Sequence, residues 1–373
     1  MITIKGKYNS ANIMIDDIDP GTRDQIQTFL NHPAFANTYI SIMPDCHVGI
    51  GAVIGLTMKM NDYIIPNVIG VDIGCGMLAC CFGRINIDLA ALDKFIREKI
   101  PSGFNINNEF AILDQHLEEK ILDVCDRLNL DIKRVFKSIG SLGGGNHFIE
   151  AGRDEDNNLW ITIHSGSRNF GLRISNYYQN LARQELEKKS IKNIHKGLEY
   201  LIVNSKSGKG YIQDLNIAQT YAAINRKVMM DRIIKKLNTQ PIEEIESVHN
   251  FIKDGVIRKG ATSARAGEKV IIPFNMRDGI AIGVGKGNAK YNFSAPHGAG
   301  RILSRSKAKE TLKLDKFKAE MKAAGIYSTS ISRHTLDEAP GAYKSKDVIL
   351  ENISETVDVV KMIKPVYNFK SGK

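Results

Sequence analysis

The stretch "GVDIGCGMLACCFGRI", residues 70–85, decides the fold. Glycines 70, 74 and 76 mark a tight turn, and "MLACCFGRI" leaves it as an apolar run without clean alternation. A short apolar run bounded by turn signals reads as a strand buried on both faces. Such a strand needs covering layers on both sides. Further strands are expected at "LWITIH" (159–164), "EKVIIPF" (268–274) and "GIAIGVG" (279–285). Apolar spacing of three and four predicts helices at 174–189 and 214–237, the latter with Ala218, Tyr221, Ala222, Val228, Met229 and Ile233 on one face. Helices are also expected at 88–99 and 114–128, capped by Asp88 and Asp114, and over the basic run 306–324. "NSKSGKGYIQD" (204–214) reads as a loop. Strands and helices alternate irregularly. The expectation is an α+β chain forming one domain over 1–373, with a central mixed β-sheet core, surrounding helices and a helical segment inserted at about 175–240.

Composition narrows the function. Hydrophobic residues make up 43% and charged residues 25%, which suits a globular, soluble chain. No apolar run reaches membrane-spanning length, and the N-terminus has no secretory pattern. The five cysteines (46, 75, 80, 81, 125) are odd and scattered, so they form no disulfide framework and suit a reducing cytoplasm. Lys plus Arg is 51 against 41 acidic residues, a net +10 that suits a polyanionic partner such as nucleic acid.

Polar groups collect in Gly-rich belts. In the opening stretch Asp72 and Cys75 stand three apart across the turn, a carboxylate–thiol pairing found at metal sites. The bland alternative is a buried thiol beside a turn-capping Asp. "SLGGGNHFIE" (141–150) offers Asn146, His147 and Glu150 after glycines whose N–H groups suit an anion. "ITIHSGSRNFG" (161–171) runs into His164 and then Arg168. "SVHNFI" (247–252) holds His249 and Asn250 in a helix-like stretch, and "SAPHGAGR" (294–301) holds His297 and Arg301 around Gly298, Ala299 and Gly300. In "MPDCHVGIGAVIG" (43–55), Asp45, Cys46 and His47 are either further ligands or the wall of a pocket. Each motif alone also reads as a turn with a structural histidine. Together they supply O, S and N donors for one or two metals beside phosphate-suited loops, which implies phosphoryl or nucleotidyl transfer. Thiolate with imidazole favours zinc first, with manganese second.

These blocks, followed by "RKGAT" (258–262) and "DEAPGAYK" (337–344), stand in an order that resembles the RtcB family of RNA ligases from about residue 43 to the C-terminus. The resemblance implies a GTP- and manganese-dependent enzyme. It joins RNA 2′,3′-cyclic phosphate or 3′-phosphate ends to 5′-hydroxyl ends, in RNA repair or tRNA splicing. It implies His297 as the guanylated nucleophile, and Asp72, Cys75, His147, His164 and His249 as ligands of two Mn2+ ions. It implies nucleotide contacts from Asn146, His147, Glu150, His249, Asn250, Pro273, Asn275, Met276, His297, Gly298, Ala299, Gly300, Tyr343 and Lys370. Glu150 would read guanine, Tyr343 would stack on the base, and Arg168 and Arg301 would meet RNA phosphates. A monomer and an archease-like activator are implied as well. The loop after Pro273 departs from the family pattern. Phe274 and Asn275 replace a Gly-Ser pair, and Ile280 stands where a polar base contact is expected. Two other readings compete: a metal-dependent phosphatase or nuclease on the same ligands, and an inactive RNA-binding relative.

Overall fold

The computed structural model describes residues 1–191 and 194–372, so positions 192–193 of the expected helical insertion lie outside the described residues. The chain is α+β, and its β core is divided between two large sheets.

The strand Gly76–Cys81 is buried at every position, as its unbroken apolar run predicts. It lies inside a seven-stranded sheet in the spatial order Glu243–Val248, Gly76–Cys81, Leu159–Ser165, Phe148–Arg153, Val357–Phe369, Ile280–Gly285 and Lys269–Pro273. Every pair is antiparallel. The two edge strands curl toward each other and are joined by the Lys269–Glu243 ion pair, so the sheet is a nearly closed barrel. The second sheet is mixed: Ser10–Ile13 and Ile40–His47 run parallel, and the other neighbours run antiparallel.

Helix Lys206–Leu237 buries Tyr211, Leu215 and Ala218 with helix Arg168–Lys188, and Met229 and Ile233 against the seven-stranded sheet. It starts eight residues earlier than the spacing predicts, because Ser205 caps it by accepting from Gly208 N. The expected loop 204–214 therefore becomes helix: capping and burial of Tyr211 override the glycine-rich propensity. The basic segment 306–324 is two helices, Arg305–Thr311 and Leu314–Ala323, broken where Leu312 turns extended. The helix-like "SVHNFI" is strand. Glu243–Val248 ends in the first sheet and Asn250–Lys253 begins in the second, so His249 is the crossing point between them.

Candidate active site

Register places the chemistry. Met77 pairs with His164, Phe148 pairs with His164 from the other side, and Val248 pairs with Gly76. Cys75, His147, His164 and His249 therefore sit at one end of four adjacent strands. Cys75 Sγ lies 3.4 Å from His147 Nε2 and 3.3 Å from His164 Nε2. These three form a compact, buried potential metal cluster. Asp72 Oδ2 closes one side at 2.9 Å from His147 Nε2, and His249 Nε2 the other at 3.2 Å from His164 Nε2. The turn that carries Asp72 packs so closely that a Cβ on Gly166 would lie 2.2 Å from Asp72 Oδ1. A side chain at Gly166 would displace the Asp72 carboxylate.

The donor set fits a divalent cation. His147 Nδ1 donates to the Leu142 carbonyl at 2.8 Å, which leaves Nε2 for ligation. Burial, reinforced by neighbouring histidines, holds His164 and His249 well below the usual imidazole range, so both are neutral and able to ligate. Two neutral Nε2 atoms facing each other share at most one proton, an arrangement that a cation relieves. Burial and the Asp72 charge push the Cys75 thiol well up, a penalty that a bound cation reverses.

A cavity of about 620 Å3 opens beside the cluster, within the size range of small-molecule sites. Asp72, Cys75, His164 and His249 reach it, and so do Asn146, Glu150 and Asn250. Pro273, Asn275 and Met276 form another wall. His297, Gly298, Ala299, Gly300 and Arg301 line it too, with Tyr343 and Lys370. His147 and Arg168 are not in its wall. Arg168 instead donates to Gly103 O at 3.0 Å and to Ser141 Oγ at 3.4 Å.

His297 follows the short strand Ser294–Pro296, whose Pro296 pairs with Ala261. Its ring lies over Gly260 and 4.7 Å from the His249 ring centroid. The strand Ile40–His47 slips register between Ile42 and His47, and this irregularity brings Asp45 beneath His297. Asp45 Oδ2 accepts from His297 Nδ1 at 2.7 Å and from its backbone N at 3.2 Å. Asp45 is fully buried and outside the cavity wall, where it orients the imidazole, while His47 lines the wall. Lys259, pushed down to about 7 by burial, donates to Ile50 O and Asn67 O and ties the loop after His47 to the helix before Asp72.

At the far end of the cavity Lys370 binds Glu338 Oε2 at 2.8 Å, and Tyr343 Oη donates to the same atom at 2.6 Å. Arg301 stacks on the Tyr343 ring at 4.9 Å and reaches Glu338 Oε1 at 3.3 Å. Glu150 accepts from Asn368 Nδ2 at 2.9 Å, while Glu150 Oε1 and Asn368 Oδ1 have no partner among the described residues. Asn275 turns its Oδ1 back to Arg277 N and Asp278 N. Ile280 is core, paired with Ile363, and does not reach the cavity.

A family model described as tRNA-splicing ligase RtcB matches residues 25–129 and 126–371. The chain belongs to the RtcB family. It is 32% identical over 392 residues to an Escherichia coli protein named RNA-splicing ligase RtcB1, covering 94% of each chain. The same identity and coverage hold for RNA-splicing ligase RtcB of E. coli strain K12. The tRNA-splicing ligase RtcB of Aeropyrum pernix is 25% identical, over 87% of this chain and 86% of that one. RtcB membership covers both cavity walls and the cluster.

Sequence reasoning missed four residues of this RtcB site. Asn225 donates to Ser165 Oγ and Gly166 O and accepts from Gly140 N and Ser141 N. Arg226, fully buried, donates to Gly74 O and Ser165 O, each at 2.8 Å, and to Glu246. Glu338 and Asn368 were the others. The signal for the first two was present: a polar pair inside the inward stripe of a helix needs buried partners.

Proposed function

We propose that the chain is a GTP- and manganese-dependent RNA ligase that joins 3′-phosphate or 2′,3′-cyclic phosphate ends to 5′-hydroxyl ends through guanylated His297. The observation that carries this is the buried Asp45–His297 pair at 2.7 Å. Asp45 accepts the Nδ1 proton, so the Nε2 lone pair is free to attack. Nε2 bonds to the α-phosphorus of GTP and pyrophosphate leaves. A cyclic RNA end is first opened by water to the 3′-phosphate. A 3′-phosphate oxygen then takes the GMP from His297, which restores the imidazole. The 5′-hydroxyl attacks the activated 3′-phosphorus, loses its proton and expels GMP.

Asp72, Cys75, His147, His164 and His249 would hold the manganese. When bound, the metal neutralises phosphate oxygens. Gly298, Ala299 and Gly300 leave backbone accessible to the phosphates, and Asn146 and Asn250 add donors. Glu150 accepts from the guanine N–H edge, Tyr343 stacks on the base, and Lys370 reaches its carbonyl. Arg301 and Arg168 meet RNA phosphates, Arg168 after leaving its present carbonyl partner. A water-using phosphatase or nuclease would use the same pair as a general base and leave no covalent label, so labelling separates the two readings.

The test is covalent labelling. With manganese and α-labelled GTP, the denatured wild-type chain should carry label. His297→Ala should carry none, and Asp45→Asn should label on the order of 10³-fold more slowly through loss of the correct tautomer, as in other Asp–His pairs. Equal labelling of His297→Ala would refute the mechanism.

A further inference from the structure

A second depression, of about 770 Å3, lies where helix Leu89–Lys99 and the end of helix Lys206–Leu237 meet the segment 101–114. That segment has no helix or strand. Ordered connections of this length are uncommon and usually functional. This one is pinned. Asn107 donates from its backbone N and its Nδ2 to Lys137 O, donates again to Ile139 O, and accepts from Arg232 Nη1 at 2.9 Å. The anchoring leaves two rings outward: Phe110, in the groove wall, is 55% exposed, and Phe104, outside the wall but next in sequence to the lining Asn105, is 78% exposed. Of the chain's 14 phenylalanines these are the only exposed ones; Phe110 meets the buried Phe136 edge-on at 6.2 Å and still leaves over half its surface open.

The charge around the rings is unbalanced. Lys99, Lys235 and Lys236 line the groove, and Lys137 Nζ lies 5.6 Å from the Phe110 ring centroid. Among the described residues none of these four lysines has a carboxylate within 4.0 Å. Glu98 and Glu109 are the acids of the groove, fewer than its cations. The groove is tied to the active-site loop by backbone hydrogen bonds, although the two cavities have no lining residue in common. Leu142 N donates to Pro101 O, Gly103 N donates to Gly143 O, and Arg168 donates to Gly103 O. Segment 101–103 is thus stitched to the loop that carries Asn146 and His147.

We propose that this groove docks single-stranded RNA next to the end being joined. The unpaired lysines meet its phosphates, and Phe104 and Phe110 stack on its bases. Exposed ring faces beside unpaired cations suit single strands, whose bases are free to stack, and not a duplex, whose base faces are covered. The proposal rests on the RNA-joining reading above.

The test uses the full chain and a fluorescent single-stranded RNA with a 5′-hydroxyl, read by anisotropy. Phe104→Ala/Phe110→Ala should weaken binding about ten-fold or more, and Phe110→Trp should retain it. Lys235→Glu/Lys236→Glu should weaken binding and flatten the salt dependence, by a slope of about 1.4 for two lost phosphate contacts. All variants should take label from GTP at the wild-type rate. Wild-type affinity in the Phe and Lys variants, or no RNA binding by the wild type, overturns the groove. Failure of the wild type to take label from GTP instead strikes the ligase mechanism and leaves the RNA readout standing.

Discussion

Burial pushes the Glu150 carboxyl up to about 8, against the opposing pull of Asn368 and Lys370. At pH 7 the Glu150 carboxyl is therefore mostly neutral, while the proposed contact with the guanine N–H edge calls for a carboxylate acceptor. Nucleotide binding near pH 7 should release about one proton, and should tighten as pH rises toward 8. Calorimetry in two buffers of different ionisation heat reads this directly. Equal heats would show that Glu150 does not accept from the base, and Glu150→Gln should abolish any difference. The sign for the free protein is opposite. Between the unfolded value of 4.5 and the folded value near 8 the native state holds a proton that the unfolded chain does not, so stability falls as pH rises through that window. Residue type made Glu150, His297 and Cys75 legible as candidates. Asp45 was visible as a carboxylate, but only as ligand or wall. Its role depends on a register slip and on a contact across 252 positions of sequence.

Helix Lys206–Leu237 acts on the site without touching it. Asn225 and Arg226 bind the backbones at Gly74, Gly140, Ser141, Ser165 and Gly166, the segments that carry Cys75, His147 and His164. Arg226→Lys cannot span Gly74, Ser165 and Glu246 at once, since an ammonium lacks the planar fork. It should weaken metal binding by about 10- to 100-fold, the usual scale for a group behind the ligands. Cobalt titration followed by its thiolate absorption measures this. Unchanged affinity with a lowered melting temperature would assign the pair to folding alone. Helical spacing found most of this helix, and the capping aspartates located two others at 88 and 114. Spacing failed at "SVHNFI", where a strand ends, crosses and begins again. It failed at 204–214 too, where a serine cap and the burial of Tyr211 outweigh glycine.

At the scale of the molecule, the proposed ligands come from segments far apart in sequence, so a cation held by them would cross-link the fold. Manganese at a hundred times its dissociation constant should stabilise the protein by about 2.7 kcal/mol. Thermal unfolding with and without metal measures the shift, which Cys75→Ala should remove. Zinc should compete, because it outranks manganese for nitrogen and sulfur donors, and should suppress GTP labelling. Labelling unaffected by excess zinc would place the metal elsewhere. The sequence by itself determined the α+β class, the buried strand at 76–81, the inward stripe of the long helix and the types of donor, because these depend on local spacing and on side-chain chemistry. The tertiary structure alone decided that four strand ends meet, that His249 lies between two sheets, that Asp45 holds His297, and that Ile280 is core. Antiparallel register and sheet crossing join residues hundreds of positions apart, and no local pattern carries that distance.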